Sequence, residues 1–235
     1  MRIGIVGCGL IGRKRAYSAK YHNIIIVADL DYQRATSLAK DIGSEFSNDW
    51  RDVIGADLDA VIVSTTHNHL AEISLAALES GKHVLVEKPS ARNSSELQPV
   101  VDAARRLGLT VRVGFNHRFH PALLKAKEIV INGDIGRLMY VKAWYGHGGR
   151  PGYDKEWRCD PKISGGGELL DQGSHLIDLS RWVLGDLELD YSFIPTCFWD
   201  ISTEDNSFLA LKSKSNQMAW LHASWTEWKL SLIHI

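Results

Sequence analysis

The sequence predicts an α/β chain in two parts: an N-terminal doubly wound parallel sheet and a C-terminal α/β domain built on a mainly antiparallel sheet. Three observations carry that prediction. An apolar strand runs into a Gly-x-Gly-x-x-Gly turn at residues 7–12. Short apolar strands then alternate with helical stretches as far as residue 118. Beyond residue 137 the texture changes to longer extended runs around one helix. The domains are accordingly read as 1–118 and 119–235.

Taken in order, residues 2–6 form the first strand and Gly7, Gly9 and Gly12 the turn after it. Gly7 permits the tight turn, Gly9 leaves no side chain between backbone and a pyrophosphate, and Gly12 lets the next helix lie close to the strand. That helix covers 10–20, with Leu10 and Ile11 at its positive N-terminal end, where an anion is favoured. The second strand, 24–29, ends at Asp29, an acidic residue that accepts both ribose hydroxyls of NAD and repels a 2′-phosphate. Leu30 stands where NADP sites often carry arginine or serine, so NAD is the expected cofactor, with Arg34 keeping NADP as the alternative. Helices are read at 31–41, 68–80 and 94–107, with Gly81 and Gly108 at helix C-termini, and strands at 59–64, 83–87 and 110–115. Ser64, Thr65 and His67 follow the 59–64 strand and are placed at the ribose or nicotinamide side of the cofactor. In the second half, 138–147, 191–199, 206–213 and 217–228 read as extended. Between them lies a helix from Gly173 to Leu184, whose Leu176, Ile177, Leu179, Trp182 and Val183 form an apolar face.

Glu87-Lys88-Pro89 brings Lys88 out at the carboxyl edge of a parallel sheet, where ligands of such sheets bind. A lysine there donates to a substrate hydroxyl and favours its alkoxide; the competing reading is a solvated lysine ending a strand. Asp171 and His175 are four apart and share a helical face. A carboxylate beside an imidazole is what general-base chemistry on an alcohol needs, against the alternative of a structural histidine at a helix start. Asp178 and Arg181 read as structural. Asn116 and Arg118 bring an amide and a guanidinium to the same edge, whereas His117 and His120 read as decoration of that junction. Trp157 and Arg158, ahead of the glycine-rich loop, are the preferred grip on a polar or anionic sugar; the other tryptophans, among them Trp144, Trp220, Trp225 and Trp228, read as sheet-face core or oligomer contact.

Composition excludes other classes. A net charge of −1 without a basic run argues against nucleic acid as partner. No apolar run reaches the roughly 18–20 residues of a membrane span, and the chain enters its first strand directly, so a cytoplasmic location is expected. Three scattered cysteines fit a reducing compartment, and no histidine or cysteine spacing points to a metal.

Gly7-x-Gly9-x-x-Gly12, Glu87-Lys88-Pro89, Asn116-x-Arg118-Phe119 and Gly165-Gly166-Gly167-x-Leu169-x-Asp171-x-Gly173-x-His175-x-Ile177-Asp178 occur in that order. Together they resemble the glucose-fructose oxidoreductase, inositol dehydrogenase and MocA (Gfo/Idh/MocA) family over nearly the whole chain. The resemblance implies an N-terminal Rossmann domain and a C-terminal domain whose open sheet forms a homo-oligomer contact. It implies NAD(P)-dependent oxidation or reduction at a carbinol carbon of a sugar, cyclitol or nucleotide-sugar. By that likeness Lys88, Asp171 and His175 are catalytic: His175 takes the hydroxyl proton as hydride leaves, while Lys88 and Asp171 position and polarise the substrate. Glu87, Lys88 and Asn116 complete the cofactor side, Arg118, Trp157 and Arg158 the substrate side, and the Lys88–Pro89 peptide is expected to be cis. The sequence departs from the family at Thr65-Thr66-His67, where Thr-Pro-Asn is common, and at Leu70, where a histidine is common. Family members usually continue through further strands and a closing helix, so the C-terminal sheet is expected to be incomplete, with apolar edges exposed. Two other readings within the family are an NAD-dependent glycoside hydrolase and a non-catalytic NAD-binding sensor; Lys88, Asp171 and His175 together argue against the sensor.

Overall fold

Parallel strands covered on both faces need apolar side chains at successive positions, and short valine- and isoleucine-rich runs supply them here. The computed structural model describes residues 1–227, and the chain divides into two units, Met1–Gly114 and Phe115–Ile235. In chain order the first unit comprises β1 (Arg2–Val6), α1 (Leu10–Ser18), β2 (Asn23–Ala28), α2 (Tyr32–Ile42), β3 (Glu45–Ser47), α3 (Trp50–Gly55), β4 (Ala60–Val63), α4 (His67–Glu79), β5 (His83–Val86), α5 (Ser94–Leu107) and β6 (Val111–Val113). The sheet is parallel throughout, in the order β3-β2-β1-β4-β5-β6. Val6, Val27, Val61, Val63, Val84 and Val86 are buried within it. Strand order reverses at β1, and the carboxyl ends beside that switch are where open α/β sheets take ligands. Asp31, Asp49 and Asn93 accept from first-turn amides of α2, α3 and α5, satisfying donors that the helices cannot. The sequence reading passed over β3 and α3, of three and six residues, which are too short to show a period.

The second unit opens with a 3₁₀ turn at Asn116–Phe119 and continues through α6 (Pro121–Asn132), β7 (Tyr140–Gly146), α7 (Pro161–Ser164), a π-helical turn at Leu169–Gly173, α8 (Ser174–Leu184), β8 (Leu187–Phe193), β9 (Asn206–Ser213) and β10 (Met218–Ser224). The division falls after Gly114, ahead of the 118/119 boundary read from the sequence, because Phe115, His117 and Arg118 all contact residues of α8. The sheet runs β7-β10-β9-β8, antiparallel at β10–β9 and β9–β8 and parallel at β10–β7. Leu209, Leu211, Ala219, Leu221 and Ala223 form a core with Leu176 of α8. By the two-residue period of a strand, Trp144, Phe208, Trp220 and His222 take the opposite face, where Trp220 stays exposed.

Two expectations need correction here, and one helix forms where none is read from the sequence. Helix α6 was not foreseen; Pro121 at its first turn and the His120 ring accepting from the Ala122 amide start it. The 191–199 strand is instead Leu187–Phe193. Pro195 lacks an amide proton, and the amides of Cys197, Phe198 and Trp199 all donate to the Asp205 carboxylate at 2.7–3.0 Å, folding that stretch into a loop. The 217–228 strand ends at Ser224, and Trp228 lies outside the described residues.

Asp205 is wholly buried. Burial alone pushes its carboxyl up, but the Trp199, Cys197 and Phe198 amides and the Asn206 side chain outweigh that and hold it below the ordinary aspartate range. A carboxyl depressed in the fold stabilises the protein above its unfolded pKa, and that contribution is lost as pH falls through the folded value. Asp205→Ala, which strands three amides, is expected to cost at least about 3 kcal/mol by urea denaturation at pH 7 and less as pH falls below 4. Equal cost at both pH values would contradict a charged Asp205.

Candidate active site

Each glycine of the 7–12 turn has a separate reason to be glycine. Gly7 has φ +96, and a Cβ there would lie 2.4 Å from the Ser64 carbonyl oxygen; one on Gly12 would lie 1.8 Å from the Gly7 oxygen. A Cβ on Gly9 would meet nothing within 4 Å, so the protein itself imposes no steric need for glycine there. That is the pattern expected when the backbone at Gly9 must be approached by a ligand. Helix α1 starts at Leu10 with no side-chain cap, leaving its first amides to solvent or an anion. Leu10 and Ile11 present exposed apolar side chains at the same end.

Asp29 ties the turn down. One carboxylate oxygen accepts from the Cys8 amide at 2.7 Å and the other from the Asp31 amide at 2.9 Å. The Cys8 thiol is buried against the Ala28 carbonyl at 3.5 Å, and burial, with the nearby Asp29 charge, pushes it up to about 12. Arg34 pairs with Asp31 at 3.2 Å. These features fit a dinucleotide whose pyrophosphate crosses the turn.

Other residues assigned to the cofactor serve the fold as well. The Ser64 hydroxyl donates to the Gly7 carbonyl at 2.8 Å, bracing β4 against the turn, and Thr65 donates to the Thr66 carbonyl at 3.2 Å. His67 is buried as the first residue of α4. The Glu87 carboxylate, read as a cofactor contact, accepts from Arg15 Nε at 2.5 Å, and a second Arg15 nitrogen reaches the Gly114 carbonyl at 3.4 Å. Glu87 thus braces α1 against the ends of β5 and β6. The Lys88–Pro89 peptide is cis, as the resemblance implied.

In the second unit the buried residue His175, in the first turn of α8, stacks on His117 with centroids 4.1 Å apart, and the Phe115 ring meets it edge-on at 5.8 Å. His117, read from the sequence as decoration of the junction, is thus packed against the His175 ring. Tyr145, delivered by β7, lies 6.1 Å from the His175 ring. Asp171, only 4% exposed, pairs with Arg158 Nε at 3.2 Å. The π-helical turn carries Asp171 and runs directly into α8, so the straight helical register expected for Asp171 and His175 is interrupted between them. Glu168, wholly buried, precedes this turn.

Arg118, read as a substrate contact, places Nε and Nη2 on the two Asp178 oxygens at 2.7 and 2.6 Å; its guanidinium is a brace between the Asn116–Phe119 turn and α8. Asn116 opens that turn. Arg158 lies over the Trp157 ring at 4.6 Å and also approaches Glu156 at 3.5 Å. Two residues that the sequence reading did not weigh join this cluster. Tyr153 is buried between Trp225 and His147, and His147, following β7, accepts from the Gly149 amide through Nδ1 at 3.0 Å. Burial raises the Tyr145 phenol above its ordinary value and the Tyr153 phenol well above it, with the Asp171 charge adding to the effect at both. Among the described residues no group of three or more His, Cys, Asp or Glu is arranged to hold a metal, and no helix is long and apolar enough to cross a membrane.

Residues 1–115 match the family model described as an oxidoreductase family with an NAD-binding Rossmann fold, and residues 123–232 match the GFO/IDH/MocA C-terminal domain. Levoglucosan dehydrogenase of Pseudarthrobacter phenanthrenivorans is 32% identical over 206 residues, which cover 79% of this chain and 52% of that protein. Inositol 2-dehydrogenase 2 of Saccharopolyspora erythraea is 33% identical over 192 residues, covering 79% and 54%. The chain thus spans about half the length of the curated relatives it matches. A solved levoglucosan dehydrogenase in complex with NADH and L-sorbose superposes with a TM-score of 0.90 at 25% identity, covering 97% of this chain and 68% of that one.

Proposed function

The chain belongs to the Gfo/Idh/MocA oxidoreductase family, its first unit an NAD-binding Rossmann domain, and from that premise we propose that it oxidises a carbinol carbon of a sugar or cyclitol. The observation that carries this reading is the setting of His175: a buried imidazole held by ring contacts, following a turn whose buried Asp171 carboxylate is itself held by Arg158. Relatives named for levoglucosan and inositol support the substrate class.

In this reading His175 takes the hydroxyl proton, and the Asp171 charge stabilises the imidazolium that forms. Arg158 orients Asp171 through their ion pair. Lys88 donates to the hydroxyl oxygen and favours the alkoxide. The Gly7–Gly12 turn and the α1 amides hold the pyrophosphate, and Asp29 takes the adenosine ribose. NAD, when bound, supplies the acceptor for the hydride that the carbinol carbon loses. The test is absorbance at 340 nm with NAD and a panel of sugars and cyclitols, with Lys88→Ala alongside. Substrate-dependent NADH that disappears in the variant supports the proposal; NAD binding without NADH from any panel member sinks it.

NAD is favoured over NADP because Asp29 would face the 2′-phosphate and Arg34 is already paired with Asp31. Asp29→Ser is expected to weaken NAD binding about tenfold and to narrow its margin over NADP, read by fluorescence titration with each dinucleotide. An unchanged ratio would remove Asp29 from the ribose site.

A further inference from the structure

Resting on the dehydrogenase reading, we propose that the substrate is an uncharged sugar or cyclitol ring and that His147 is a substrate-binding residue that donates to one of its hydroxyls. The argument starts from charge. Three arginines stand around the His175 and Asp171 cluster of the second unit, and each is closed on a carboxylate of that unit: Arg118 on Asp178, Arg158 on Asp171 and Glu156, and Arg150 on Glu156 at 2.5 Å. Arg150 and Arg158 against Glu156 and Asp171 leave no surplus positive charge in that network. A phosphate or carboxylate on the substrate would have to displace one of these partners and would meet the buried Asp171 and Glu168 nearby. The Trp157–Arg158 pair, which the sequence alone offers to an anion, therefore presents a neutralised guanidinium.

A neutral polyol needs fixed donors and acceptors rather than charge. His147 supplies one. Its Nδ1 accepts from the Gly149 amide, so the neutral ring carries its proton on Nε2, and its edge-on contact with Tyr153 at 5.4 Å fixes the ring plane. Burial lowers its proton affinity and the charges around it oppose one another, Asp171 and Glu156 raising it, Arg158 and Arg150 lowering it. The imidazole thus stays a neutral donor. It leaves β7 two residues after Tyr145, the ring that lies against His175, so one strand end serves both the base and the donor.

The experiment compares kcat/KM of the whole chain with NAD on methyl glucoside and myo-inositol against glucose 6-phosphate and glucuronate, for the wild type, His147→Leu and His147→Gln. The best uncharged substrate should exceed the best anionic one at least about 100-fold. His147→Leu should raise its KM roughly tenfold with a smaller change in kcat, the cost of one hydrogen bond to a hydroxyl. His147→Gln, which keeps an N–H near the Nε2 position, should recover most of the loss. Preference for the phosphate or uronate overturns the inference while leaving the dehydrogenase reading intact. So does a His147→Leu enzyme that binds NAD normally and keeps the wild-type KM. If NAD binds and no sugar of either kind is oxidised, the dehydrogenase reading fails and this inference fails with it. Should His147→Leu not fold, the charge comparison and the glutamine variant still decide.

Discussion

His175→Ala is expected to lower kcat about 10³-fold while NAD affinity stays within about twofold. A positioned general base contributes roughly 10²–10⁴-fold, and alanine removes that group outright. The histidine's surroundings point the same way. His175 is buried among the rings of His117, Phe115 and Tyr145, with a buried acid one turn away. Loss of its packing also leaves a void, so the variant's melting temperature must be measured beside its rate; a few degrees of destabilisation is compatible with the assignment. Activity per folded molecule that survives the substitution would make His175 a packing residue. Asp171→Asn should cost less than His175→Ala, since it weakens support for the imidazolium without removing the base, and the double variant should be little worse than His175→Ala alone.

Gly9→Val and Gly12→Val should fail in opposite ways. A side chain at Gly9 enters open space, so the first unit should fold and melt as the wild type does while NAD binding falls by more than about 100-fold, because the added atoms occupy the approach to the pyrophosphate. A side chain at Gly12 collides with the Gly7 carbonyl and, at 2.9 Å, with the Ser64 hydroxyl, neither of which yields without breaking the contact between α1 and β1. That variant should be recovered poorly or unfolded, a loss of several kcal/mol by overpacking and strain. Circular dichroism with NAD titration separates the two. If Gly9→Val binds NAD normally, the turn is structural only.

The first unit was the more legible because its signals are local. Alternation of apolar strand and helix, the spacing of Gly7, Gly9 and Gly12, and Asp29 at the end of β2 each follow from a few adjacent residues. What the sequence hid were partnerships between distant residues. Nothing near Glu87 announces Arg15, seventy-two positions away, and nothing near Arg118 announces Asp178, so the sequence offers both charged groups to ligands while the fold gives each an ion-pair partner within its own unit. His117 looked incidental beside Arg118 until α8 brought His175 onto its ring. The loop at 197–199 reads as strand because its aromatic residues suit one; the deciding residue, Asp205, sits beyond it and acts on backbone amides that carry no sequence signature.

The thiol inside the glycine turn has a chemical consequence. Burial pushes the Cys8 thiol up to about 12, so at neutral pH the sulfur is held as the thiol, and thiolate is the form that alkylating agents and peroxides attack. The residue nearest the dinucleotide turn is thereby inert, while Cys197, at the surface on another unit, is open to the same reagents. A maleimide dye or spin label should attach at Cys197 and spare Cys8 in the turn.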